Sequence, residues 1–122
     1  MKIGKITDVQ SCLFCKIIRR EQEAKVIHED DLVVAFKDIR PQAPTHFLVV
    51  PKKHIATLND LTPEDSPLIG HILQVAKKLS QEFGIHEKGY RAVFNVNAAA
   101  GQSVYHVHLH VLGARMFGWP PG

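Results

Sequence analysis

The sequence predicts an α+β fold: a five-stranded antiparallel sheet with one long and one short helix, the long one packed on a face of the sheet. Three observations carry that prediction. Five short runs rich in Val, Ile, Leu and Phe are bounded by turn residues, and most follow one another at hairpin distance. One stretch places Leu68, Ile69, Ile72, Leu73, Val75, Ala76, Leu79 and Phe83 on a single helical stripe. A brief second stretch, Phe14, Ile17 and Ile18, repeats that spacing near the N-terminus.

Residues 1–10 are mixed and non-periodic and read as an N-terminal lead, leaving residues 11–122 as a single domain with its C-terminal tail. Ser11 is the candidate N-cap of the short helix. Ala24 to Glu29 and Leu32 to Asp38 read as strands joined by the turn Glu29-Asp30-Asp31. Asp38 to Pro44 must be irregular, because two prolines so close together cannot sit inside a sheet. His46 to Val50 is an apolar strand ended by Pro51, of the kind covered on both faces. The long helix has two candidate starts, Thr62-Pro63 and Ser66-Pro67, and Gly84 supplies its stop. Tyr90 to Asn97 is the fourth strand, Ala98 to Ser103 a loop, and Val104 to Leu112 the fifth strand. Trp119-Pro120-Pro121-Gly122 cannot be regular structure.

An apolar fraction of 45% and a charged fraction of 22% over 122 residues describe an ordinary globular domain. A chain of this length buries a real core but has little margin for a deep pocket, which is compatible with a site shared across a dimer. The net charge of +3 is scattered in pairs such as Arg19-Arg20, Lys52-Lys53 and Lys77-Lys78. That pattern favours an anionic small molecule over nucleic acid, which would call for clustered Lys and Arg with exposed aromatics. No apolar run reaches the length of a membrane span and no signal-peptide core is visible, so the expectation is a cytoplasmic protein without a membrane partner.

The chemistry concentrates in Tyr105-His106-Val107-His108-Leu109-His110-Val111. Read as one strand, His106, His108 and His110 share a face with neighbours roughly 6–7 Å apart. A metal site from this strand alone is disfavoured, because residues i and i+4 stand ~13 Å apart. A nucleophilic middle histidine flanked by two that contact substrate or orient the ring suits the row better. Gly101-Gln102-Ser103 just upstream fits that reading, since glycine lets backbone N–H groups approach an oxyanion and a serine hydroxyl can donate. Asp38 reads equally as a turn residue or as an acceptor for ribose hydroxyls. Cys12-x-x-Cys15 reads either as two small apolar thiols at a helix start or as half of a metal site.

The run His106-Val107-His108-Leu109-His110-Val111-Leu112 resembles the His-φ-His-φ-His-φ-φ signature of the histidine triad superfamily, where φ is apolar. Asp38-Ile39, Pro41 to His46, Pro51-Lys52-Lys53-His54 and the closing Trp119-Pro120-Pro121-Gly122 extend the resemblance over roughly residues 11 to 122, to the histidine triad nucleotide-binding (HINT) branch. The resemblance implies a purine nucleoside phosphoramidase that cleaves P–N bonds of adenosine monophosphoramidates. His108 would form the nucleotidyl-histidine, with His110, His106 and His46 around it and Ser103 assisting the leaving amine. It implies a nucleotide pocket from Ile18, Phe36, Asp38, Ile39, Asn95, Gly101, Gln102, Ser103, His108 and His110. No cofactor is required for the reaction. Related triad proteins with a cysteine pair imply a structural zinc held by Cys12, Cys15, His54 and His106. The family further implies a homodimer joining two sheets into one. Two alternatives stay open: a dinucleoside polyphosphate hydrolase, and a nucleotide-binding regulatory or interaction protein.

Overall fold

The computed structural model describes residues 9–122, so most of the expected N-terminal lead lies outside the described residues. Helix α1 spans Leu13–Ile18. Its cap is Cys12, one residue later than expected, whose Sγ accepts from the Cys15 N–H at 3.4 Å. A left-handed turn at Arg20 (φ 62) then leads into the sheet.

The strands are β1 (Val26–Glu29), β2 (Val33–Lys37), β3 (Thr45–Pro51), β4 (Tyr90–Val93) and β5 (Leu109–Gly113), ordered β1-β2-β3-β5-β4 and antiparallel throughout. The fold is therefore α+β, with a five-stranded antiparallel sheet and one long helix. That helix, α2, spans Ser66–Glu82. Both candidate starts are used. Thr62-Pro63 opens a short 3-10 turn over Pro63–Asp65, where the Asp65 carboxylate accepts from the Thr62 N–H, and α2 proper begins at Ser66-Pro67. Gly84 ends it with φ 71, a conformation that favours glycine.

Two cores flank the central strands. Val33, Ala35, Phe47, Val49, Leu109 and Val111 pack against Ile72, Val75, Ala76 and Leu79 of α2. On the other face Val34, Phe36, Leu48 and Val50 pack against Phe14, Cys15 and Ile17 of α1. β3 is thus covered on both faces, which explains its unbroken apolar run. Burial of the two stripes, rather than helix propensity, holds both helices in place.

The predicted boundaries fail at two places. β4 stops at Val93 rather than Asn97, and β5 begins at Leu109 rather than Val104. Between them a 3-10 turn at Ala98–Ala100 and bends at 104–106 take the chain out of the sheet. The alternation of His and apolar residues persists through 104–108 without a ladder.

Candidate functional site

The last Cα pair between β3 and β5 is Val49 with Leu109. Upstream of it the chain is held by other bonds. The Val107 N–H donates to the Ile55 carbonyl at 2.7 Å. The Gln102 amide is fully engaged: its oxygen accepts from the Asn97 N–H (2.9 Å), and its nitrogen donates to the carbonyls of Ala56 (2.8 Å) and Val104 (3.1 Å). The resemblance placed Gln102 in the nucleotide pocket; its side chain fastens the 97–104 loop to the segment after β3.

His106, His108 and His46 each have their proton placed by a main-chain partner. A carbonyl only accepts, so the 2.7 Å contact between His108 Nδ1 and the His106 carbonyl makes Nδ1 the donor and leaves the lone pair on Nε2. The same reasoning protonates His106 at Nε2, which donates to the Pro51 carbonyl at 2.7 Å, and leaves its Nδ1 free to bind. His106 and His108 are both buried. Burial pushes the His106 pKa down to about 4 and lowers that of His108, so both rings are neutral at pH 7.

His46 and His110 form a second relay. The Gln42 N–H donates to His46 Nδ1 at 3.0 Å, so His46 carries its proton on Nε2. That Nε2–H lies 2.9 Å from His110 Nδ1 and 3.4 Å from the Asp38 carboxylate. His110 Nδ1 therefore accepts, and its own proton sits on Nε2. Burial and the neighbouring His108 and His46 hold the His110 pKa down to about 4, and burial lowers that of His46. Asp38, His46 and His110 stand close enough to suggest a cation site. The Gln42 N–H argues against one, because His46 would have to give up the proton on the nitrogen that faces the other two. His46 and His110 are a hydrogen-bonded pair with the Asp38 carboxylate 3.4 Å from His46 Nε2, beside His108, whose ring centroid is 4.9 Å from that of His110.

A different set does fit a metal. Cys12, Cys15, His54 and His106 bring all four ligand atoms within 4.8 Å of one another. His106 Nδ1 lies 3.4 Å from Cys12 Sγ, 3.6 Å from Cys15 Sγ and 3.2 Å from His54 Nδ1, and Cys15 Sγ lies 3.3 Å from His54 Nδ1. A tetrahedral zinc with ordinary bond lengths would space S and N donors roughly 3.6 Å apart and two N donors roughly 3.3 Å apart. The Pro51 carbonyl on His106 Nε2 is the outer bond that fixes a ligating imidazole. His54 Nε2 has no such partner and is buried without one among the described residues. Without a cation, burial and the adjacent Cys12 push the Cys15 thiol up to about 11. A dication reverses that preference and takes the thiolate.

The remaining expected residues are spread more widely than one groove. Asp38 and Ile39 line a cleft of about 790 Å³ with His46, Thr45, Lys37 and Phe83. Ile18 lines a separate hollow of about 480 Å³, and the two share Glu23 and Ala24. Phe36 belongs to neither: it is buried at 4% exposure with its ring 5.4 Å from that of Phe14. Core packing claims it. Ser103 is exposed, Asn95 half-buried just past β4, and Gly101 takes φ 82 as the turn closes. Three further contributors are invisible in sequence: the Gln42 N–H, the Pro51 carbonyl, and Phe14, edge-on to both His106 and His108. Main-chain groups leave no residue-type signal, and Phe14 reads as ordinary core.

Residues 11–118 match the family described as "Scavenger mRNA decapping enzyme C-term binding". A purine nucleoside phosphoramidase of Escherichia coli is 47% identical over 109 residues, covering 89% of this chain and 92% of the relative. An uncharacterized HIT-like protein of Synechocystis is 50% identical over 113 residues, 93% of this chain and 98% of that one. Among solved structures, a HIT family hydrolase from Legionella pneumophila superposes with a TM-score of 0.90 at 60% identity, covering 92% of this chain and all of the other.

Proposed function

The chain belongs to the histidine triad superfamily, in its HINT branch, and on that premise we propose that this hydrolase is a purine nucleoside phosphoramidase. The observation that carries the reading is the 2.7 Å bond from His108 Nδ1–H to the His106 carbonyl. It leaves a neutral, buried ring with its Nε2 lone pair available at pH 7.

In the proposed reaction, His108 Nε2 attacks phosphorus of a nucleoside 5′-phosphoramidate. The P–N bond breaks as the N–P bond to His108 forms, and the amine leaves with a proton. His110 Nε2–H and the Ser103 hydroxyl are the donors for the phosphoryl oxygen and the departing nitrogen. Water then attacks the nucleotidyl-histidine, giving the nucleoside monophosphate and restoring the ring. Dividing one displacement between two steps is the advantage of a nucleophilic imidazole. Asp38 accepts from the ribose hydroxyls, with Ile39 and Ile18 offering apolar surface to the base.

Cys12, Cys15, His54 and His106 hold zinc in this reading, a closed Cys2His2 set that supplies cross-linking and no open coordination position. The active species is a homodimer. Its edge strand β4 offers the pairing surface, and Trp119, 85% exposed, lies in the tail available to a partner.

The test is release of amine from an adenosine phosphoramidate. His108→Ala should lower kcat by about three orders of magnitude or more and still bind AMP. Normal turnover by that variant would refute the middle-histidine mechanism. Wild-type protein that binds AMP but cleaves no phosphoramidate would favour a regulatory binding protein, and preferential cleavage of a dinucleoside polyphosphate would favour the related hydrolases.

A further inference from the structure

We propose that the Cys12–Cys15–His54–His106 set, once it holds a divalent metal, positions the nucleophile's own segment, so that metal occupancy governs the alignment of His108. The inference rests on the metal and His108 readings above and goes beyond a staple between α1 and the sheet.

The segment from 104 to 108 has no strand ladder, since β5 begins at Leu109. Its anchors include the Gln102 amide on the Val104 carbonyl, the Val107 N–H on Ile55, and the ring of His106. His106 is fully buried, and its ring is held at Nε2 by Pro51. At Nδ1 it faces, among the described residues, the other three members of the set. Two imidazole Nδ1 atoms 3.2 Å apart repel through their lone pairs unless a proton or a cation lies between them. The His106 carbonyl is the acceptor that sets the His108 tautomer and ring direction. Whatever fixes residue 106 therefore fixes where the His108 Nε2 lone pair points.

A second contact runs through α1. Phe14 sits between the two cysteines and meets His108 edge-on at 5.0 Å and His106 at 5.9 Å between ring centroids. A metal drawing Cys12 and Cys15 toward His106 seats Phe14 behind the His108 ring. Of the groups assigned to the nucleoside, only Ile18 lies on α1; Asp38, which takes the ribose, and Ile39 are outside the set and follow β2. Loss of the metal should therefore lower kcat and leave KM nearly unchanged.

The experiment begins with metal analysis of protein purified without chelator; absence of bound metal overturns both this inference and the metal reading. Zinc-loaded and chelator-stripped proteins are then compared by imidazole nitrogen-15 spectra, circular dichroism and phosphoramidate kinetics. The loaded protein should show His108 as a single Nδ1–H tautomer. The stripped protein should show averaged tautomers, with kcat lower by about 10–100-fold and KM within about twofold. Returning Zn²⁺ should restore both. A folded, metal-free protein that keeps the single tautomer and its kcat overturns the inference while the metal reading survives.

If stripping unfolds the protein, the coupling is read in reverse on the loaded form, because linkage is reciprocal. AMP should slow chelator-driven zinc release from wild type and have little effect on release from His108→Ala. Equal protection in both overturns the inference.

Discussion

Gln102 offers a sharp test of how the site is assembled, because its three hydrogen bonds assign it to the loop rather than to the nucleotide. The residue is 7% exposed, and Gln102→Glu changes only the amide nitrogen to oxygen. The acceptor for the Asn97 N–H survives, but the donors to Ala56 and Val104 become a carboxylate facing two carbonyls. Two lost bonds at about 1 kcal/mol each, with the cost of opposing oxygens, give about 2–4 kcal/mol of destabilisation. For a domain of this size that is roughly 8–15 °C in Tm. Gln102→Leu loses all three bonds, and its penalty should be similar, about 3 kcal/mol. The two variants separate with pH. In Gln102→Glu, burial and the carbonyl dipoles raise the folded-state pKa of the new carboxyl above its unfolded value. A raised folded pKa gives relative stability at low pH, so its deficit against wild type should shrink between pH 7.5 and pH 5, as the protonated acid again donates. The deficit of Gln102→Leu should stay constant. Denaturant unfolding at the two pH values, with phosphoramidate kinetics alongside, makes the comparison. Variants as stable as wild type that only raise KM would refute the argument, since a direct nucleotide contact would then be what Gln102 provides.

Two further predictions follow from the protonation states. The acid limb of kcat/KM should fall below the ordinary histidine value of 6.5, because burial lowers His108 and holds His110 at about 4; a limb at or above 6.5 in a pH–rate profile would contradict it. The same depression makes the fold acid-sensitive: the unfolded state takes up protons first, so stability should drop as pH falls from about 6.5 to 4, by up to roughly 3 kcal/mol from His110 alone in chemical denaturation. Asp30 behaves differently. Burial raises its pKa, but the Nε2 donors of His28 and His71 and the N–H groups of Leu32 and Val33 outweigh that and hold it far below the ordinary carboxylate range. Asp30→Ala should cost about 2–3 kcal/mol at pH 7 in the same assay, with phosphoramidate kinetics unchanged in the folded protein.

The fold was legible where burial repeats with the period of an element. The continuous run of β3 and the α2 stripe, apart from the exposed Leu73 and Phe83, name faces that the structure covers. The start of β5 was not legible, because Val107 and His108 are buried whether or not a ladder holds them. An alternating pattern records which side chains go inside; it does not record where their main chain finds partners. The same limit explains Phe36, whose apolar ring serves a core and a base-binding wall equally well in sequence. It was the family resemblance, not residue spacing, that grouped His46 with His110, and Cys12 and Cys15 with His54 and His106, and these side chains do lie together. Their tautomers stayed hidden, since the deciding groups are a peptide N–H at Gln42 and carbonyls at Pro51 and His106, which every sequence possesses.

That interruption of β5 is what turns a row of histidines into distinguishable chemical groups. Had the ladder continued upstream, three rings would have stood about 6–7 Å apart on one face, each with similar surroundings. Pro51 can accept but not donate, and its carbonyl takes the His106 side chain at the point where β5 would have run alongside. His106 is thereby turned toward α1 and the cysteines, and its own carbonyl becomes the acceptor for His108. Only His110 remains in the strand, where its neighbour across the ladder, Leu48, lies two residues beyond His46 on the same face. In the proposed function, metal-ligand chemistry, nucleophile chemistry and proton donation fall to successive alternate residues because the backbone changes its partners within five positions. A substitution that extended β5 upstream would improve the sheet and should remove the distinction on which the proposed reaction depends.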